Sequence, residues 1–140
     1  MRRHIALLTL ALLLPAALVG AQAQDGDKAA IATVIQQQLD AFQRDAGIEA
    51  FSYASPAIQG QFGTPENFMD MVRGGYAPVY RPQSYEFQGL DTSGRHPVQD
   101  VYIIGPDGEP VIARYTMQQQ PDGSWRIHGC TLTQADGLSV

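Results

Sequence analysis

Residues 101–130 read VYIIGPDGEPVIARYTMQQQPDGSWRIHGC, and this stretch decides the fold. Alternating side chains run up to Gly105-Pro106-Asp107-Gly108-Glu109, resume at residue 110, and break again at Gln120-Pro121-Asp122-Gly123-Ser124. Successive side chains of a strand point to opposite faces, so the alternation marks strands packed on one side. In both breaks a glycine closes a three-residue turn, the pattern of a type I turn followed by a left-handed residue. One hairpin earlier, Asp91-Thr92-Ser93-Gly94-Arg95 repeats the design. The spacing predicts strands over 84–90, 96–104, 110–119 and 125–134, joined as a four-stranded antiparallel meander.

Turns of fixed length also fix register. One face is expected to carry Tyr85, Phe87, Val101, Ile103, Val111, Ala113, Tyr115, Met117, Trp125 and Ile127, apolar enough to take a helical layer. The other face is mixed, and the row Glu86, Asp100, Arg114, Cys130 is expected to run across its four strands. On an open face Arg114 pairs with Asp100 while Glu86 points to water. Under a second copy of the chain, both carboxylates would share Arg114 and the less compensated one would have a raised pKa.

The segment before the sheet reads as helices. Ile31, Val34, Ile35, Leu39 and Phe42 recur at helical spacing, which predicts an amphipathic helix over 26–45 ended by Gly47, with a short helical piece to Ala54. Ser55-Pro56 and Thr64-Pro65 each place a hydroxyl cap before a proline suited to the first helical turn. Phe68, Met69 and Val72 give the second of these helices its apolar face, and Gly74-Gly75 its stop. Helices therefore fill 26–75. In the connector 76–83, Pro78 and Pro82 predict a stiff extended path that carries Tyr76, Tyr80 and Arg81.

Residues 1–23 carry the parts of an export signal: Arg2 and Arg3, an uncharged run from Ile5 to Val19, and Ala21-Gln22-Ala23 for cleavage. The run is shorter than the ~20 residues a membrane span needs, Pro15 interrupts it, and no cysteine follows it to take a lipid. Cleavage after Ala23 is expected, leaving one domain over 24–140 in the periplasm or outside the cell. Loss of Arg2 and Arg3 leaves seven basic side chains against fourteen acidic ones, a formal charge of −7. That balance argues against nucleic acid or an anionic membrane as partner. Lys28 is the one lysine, which disfavours Schiff-base chemistry and phosphate loops. Cys130 is the one cysteine, so no internal disulfide forms, and its expected role is a small buried apolar group. Beyond the leader the histidines are His96 and His128, too few for a metal centre, and no cofactor is expected.

The stretches Ser52-Tyr53-Ala54-Ser55-Pro56, Phe62-Gly63-Thr64-Pro65-Glu66-Asn67-Phe68 and Gly75-Tyr76-Ala77-Pro78-Val79-Tyr80-Arg81-Pro82 resemble a bacterial family called domain of unknown function 4864. The likeness continues through Tyr115-Thr116-Met117, Pro121-Asp122-Gly123-Ser124-Trp125-Arg126-Ile127 and Gly129-Cys130. It implies membership and no particular chemistry. The layout of helices on an antiparallel sheet is more loosely similar to the nuclear-transport-factor-2-like cone, which hosts binders, enzymes and interaction modules alike.

The expected architecture is α+β, with the helices packed on the sheet. The expected function is non-enzymatic binding of a small ligand or a protein. Tyr76, Tyr80 and Arg81 would form the rim of the site, and Tyr53, Tyr85, Tyr115 and Trp125 its polar lining. The alternatives are a small acid–base enzyme, isomerase- or cyclase-like, using a buried carboxylate or tyrosine pair, and a homodimer through the mixed sheet face without a ligand. No catalytic residue is assigned.

Overall fold

A computed structural model describes residues 17–135, with side chains from Asp25 onward. The elements run α1 (Ala17–Gln43), α2 (Gly47–Ser52), α3 (Pro56–Phe62), α4 (Pro65–Gly75), α5 (Ala77–Tyr80), then β1 (Ser84–Asp91), β2 (Val98–Ile104), β3 (Pro110–Gln119) and β4 (Trp125–Gln134). The expected leader lies mostly in residues 1–16, outside the described residues.

The stripe read from the sequence forms the buried side of α1: Ile31, Ile35, Leu39 and Phe42 are at most 2% exposed. Burying each such side chain contributes roughly 1.5–3 kcal/mol. The stop differs from expectation. Asp45, at φ 53°, takes the left-handed position, Ala46 N–H donates to Ala41 O (2.9 Å) and Asp45 N–H to Phe42 O (3.1 Å). This is a Schellman end with aspartate where glycine is usual. Gly47 instead opens α2, where a Cβ would stand 3.0 Å from the Met69 side chain. The two hydroxyl caps form as read: Ser55 Oγ accepts from Ile58 N–H (3.3 Å) and Thr64 Oγ1 from Asn67 N–H (3.2 Å).

The connector is not extended. Residues 77–80 make one helical turn, α5, with Pro78 in it. Proline lacks only an N–H that a first turn leaves free, so it starts a helix as readily as it prevents one. Pro82 acts as anticipated, since Arg81 before it leaves helical geometry at φ −141°, ψ 64°.

The sheet is the expected antiparallel meander in the order β1-β2-β3-β4. Gly108 (φ 84°) and Gly123 (φ 88°) close the second and third turns in left-handed geometry. In the middle hairpin Asp100 faces Arg114, as predicted. The first loop is longer than a three-residue turn and Gly94 is not left-handed, so Glu86 faces Tyr102 rather than Asp100. A register shift between Phe87 and Leu90 then leaves main-chain carbonyls to satisfy. The buried Gln99 amide donates to Gln88 O (2.8 Å) and, at 3.4 Å, to Gly89 O.

A second bulge sits in β4. Met117 faces Ile127 but Thr116 faces Gly129, so His128 is an extra residue. One inserted residue exchanges the faces of everything beyond it. Cys130 therefore lies opposite Tyr115 rather than Arg114, and Leu132 opposite Ala113; both pack against the core rather than on the mixed face. The free edge of β4 is covered at Ile127, where Tyr53 O and Ser55 N–H exchange 2.8 Å hydrogen bonds with the strand.

Candidate functional site

The helices meet the sheet around Phe68 of α4, whose ring centroid lies 6.2 Å from Phe42, 5.3 Å from Phe51 and 5.8 Å from Phe62. This cluster ties four helices into a roof. Between it and the inner face of β3 and β4 is a cavity of about 280 Å³. Phe42 and Gln38 of α1, Ile58 and Phe62 of α3, and Met71 and Val72 of α4 line the upper side; Tyr115, Ile127 and Cys130 form the floor. Among the described residues, no charged side chain lines it.

Of the polar side chains among the lining residues, Gln61 is exposed, and those of Gln38 and Tyr76 are already engaged. The Gln38 amide donates to Ala50 O (3.1 Å), holding α2 against α1. Tyr76 O–H donates to Cys130 O (3.1 Å), fixing the start of the connector over the floor. The Tyr115 hydroxyl has no hydrogen-bond partner, although the residue is 1% exposed. Leaving such a group unpaired costs about 1–3 kcal/mol. Burial pushes the Tyr115 phenol well above its ordinary value, and the Cys130 thiol beside it adds to this. Burial also pushes the Cys130 thiol up, to about 12. Both groups therefore keep their protons at neutral pH, and neither supplies a base or a thiolate.

Of the seven residues expected at a binding site, the structure brings Tyr76 and Tyr115 to the cavity and leaves the others elsewhere. Tyr80 and Arg81 form a clamp outside it. Tyr80 O–H donates to Asp45 Oδ1, Arg81 Nη2 pairs with Asp45 Oδ2 at 2.9 Å, and Arg81 Nη1 donates to Phe42 O at the end of α1. The Arg81 guanidinium also stacks 4.0 Å from the Tyr80 ring centroid. These contacts lock α5 to the α1 stop, and the polar groups are used up in doing so. Tyr53 O–H donates to Glu49 (3.0 Å), which also pairs with Arg44 (2.7 Å). Tyr85 packs edge-on against Phe87 (6.0 Å), and Trp125 is buried at the start of β4.

A match to a family model over residues 24–140 is described as "Domain of unknown function (DUF4864)". The chain belongs to the DUF4864 family. Comparison with curated proteins and with solved structures finds no match. The cavity is thus a feature of this DUF4864 chain read from its own geometry. No group of three or more His, Cys, Asp or Glu side chains fit to hold a metal ion occurs among the described residues. Among the same residues, no helix is long and apolar enough to cross a membrane.

Outside the cavity the charged row reduces to one pair: Arg114 bonds both Asp100 oxygens at 3.0 and 3.3 Å, while Glu86 is exposed. The sequence reading missed a tie between Ser55 and His128, 2.8 Å between Oγ and Nδ1, with the His96 ring tilted against that of His128 at 5.2 Å. Ser55 is wholly buried, and both its bonding roles are filled when its proton goes to His128 and its oxygen caps α3. The arrangement fastens the β4 edge. The Ser55-Pro56 cap was visible in the sequence; its second partner depends on the bulge.

Proposed function

We propose that this protein is an exported module that binds a small, predominantly apolar molecule in the cavity between its helices and its sheet. The observation that carries the reading is the cavity itself: about 280 Å³, lined mainly by aliphatic and aromatic side chains and close to the usual size of small-ligand sites. Four of the five helices and two of the four strands frame that space. The side chains on it are apolar, amide, phenol or thiol, and burial keeps the Tyr115 phenol and the Cys130 thiol protonated, which favours a binder over an acid–base enzyme. The export half of the proposal draws on the basic, apolar and small-residue order of residues 2–23, with the family match beginning directly after Ala23.

The neutral fluorophore N-phenylnaphthylamine provides the test. It is expected to bind with one-to-one stoichiometry, and Met71→Trp, which places a larger ring in a half-buried lining position, is expected to block it while leaving the circular dichroism spectrum unchanged. Absence of binding, or binding indifferent to Met71→Trp, would overturn the cavity reading. The intact mass of protein recovered from the producing cells tests export: a chain beginning at Gln24 is expected, and one retaining Met1 contradicts it.

A further inference from the structure

We infer that His128 makes the cavity sensitive to pH: proton uptake on its imidazole loosens the hold of α3 on β4 and lowers the affinity for the ligand. This rests on the binding reading above and adds how that site is regulated. His128 is the extra residue of the β4 bulge, next to Ile127 of the cavity floor. Its Nδ1 stands 2.8 Å from the hydroxyl of Ser55, the N-cap of α3. That helix supplies Ile58 and Phe62 to the upper side of the cavity. One imidazole thus ties a wall of the cavity to the strand beneath it.

The tie depends on the ring being neutral. Ile58 N–H donates to Ser55 Oγ (3.3 Å), so the hydroxyl proton goes to Nδ1 and the ring keeps its own proton on Nε2. Histidine is the side chain that takes up a proton in mildly acid water, and both its nitrogens are then donors. His128 is half-buried, so water reaches the ring. Once Nδ1 is protonated, two donors face each other across 2.8 Å, and Ser55, wholly buried, has no water to turn its hydroxyl to. A buried hydroxyl without an acceptor destabilises the arrangement that holds it.

The surroundings do not compensate the new charge. The His96 ring, from the loop before β2, lies 5.2 Å from that of His128, so protonating both sets like charges together, and the exposed Arg95 beside it adds a third. On β4, Arg126 donates to Ser52 O; on β3, Thr116 and Gln118 face this stretch, and Arg114 beyond them pairs with Asp100. The strap from α2 turns the Tyr53 hydroxyl to Glu49, α3 has no charged residue, and Asp122 in the turn before β4 bonds Ser124. Among the described residues, neither histidine has a carboxylate within ion-pair distance.

The affinity for N-phenylnaphthylamine, which stays uncharged throughout, is measured at about pH 7.5 and about pH 5, on either side of the histidine range. Wild type is compared with His128→Asn, whose amide oxygen accepts in place of Nδ1 and takes up no proton. Wild type is expected to bind about tenfold more weakly at the acid pH, the effect of one buried hydroxyl left unpaired, with its circular dichroism spectrum unchanged. His128→Asn is expected to match wild type at the higher pH and to lose the pH dependence. Calorimetry at about pH 6 in buffers of different ionisation enthalpy needs no variant: binding by wild type is expected to release protons, by the reciprocity of linkage. Equal wild-type affinity at both pH values, a pH dependence that survives in His128→Asn, an acid spectrum that shows unfolding, or binding without proton release overturns the switch and leaves the cavity reading standing. If wild type does not bind at the higher pH, both readings fall.

Discussion

Cys130 lies two residues past the extra residue His128, and that insertion sets its chemistry. On the mixed face opposite Arg114 its thiol would sit beside a cation and tend to ionise. Opposite Tyr115 it is desolvated, and its pKa is pushed up to about 12. In the native protein at neutral pH, Cys130 is therefore expected to resist a thiol-specific reagent and to react fully once the chain is unfolded. Stoichiometric labelling of the folded protein within minutes would contradict its placement. The sequence does mark Cys130 as a small buried group. Its neighbour was misread because Gly129 inside the strand signals a bulge without placing the extra residue, and the face of every later residue depends on that one insertion.

At the scale of elements, the α1 stop and α5 behave as one unit through Asp45. The Tyr80 hydrogen bond, with help from the Arg81 and Arg73 charges, holds the Asp45 carboxyl below its ordinary 3.8. A carboxylate with a depressed folded pKa contributes stability that is complete above its unfolded value and is lost as pH falls through the folded one. Asp45→Asn keeps a residue that tolerates left-handed geometry and removes the charge. Its melting temperature is expected to fall below that of wild type at about pH 7 and to approach it at about pH 3. An equal deficit at both pH values would show that the clamp is not electrostatic. The strands and the two hydroxyl-capped helices were legible because their signals are local: alternation, glycine turns, and hydroxyl before proline. The connector misled because Pro78 fits both an extended path and a first helical turn, and the choice depends on the distant Asp45 that fastens Tyr80 and Arg81.

At the scale of the whole molecule, the sequence indicated a cavity between helices and inner sheet face but not its walls. Ile58, Phe62, Phe68 and Met71 look like ordinary helix stripes, and they line a space because the aromatic cluster around Phe68 forms a roof above Tyr115. Tyr80 and Arg81 have the residue types of a binding rim, yet their contacts fasten α5 to the end of α1. The most direct test is thermal unfolding of wild type and Met71→Trp, each alone and with saturating N-phenylnaphthylamine. Wild type is expected to melt higher with the fluorophore, by about 4 °C for about 1 kcal/mol of binding linkage. The variant should gain less, because the stabilisation rises with the logarithm of ligand affinity for the folded state. No gain by wild type, or an equal gain by the variant, would contradict the account.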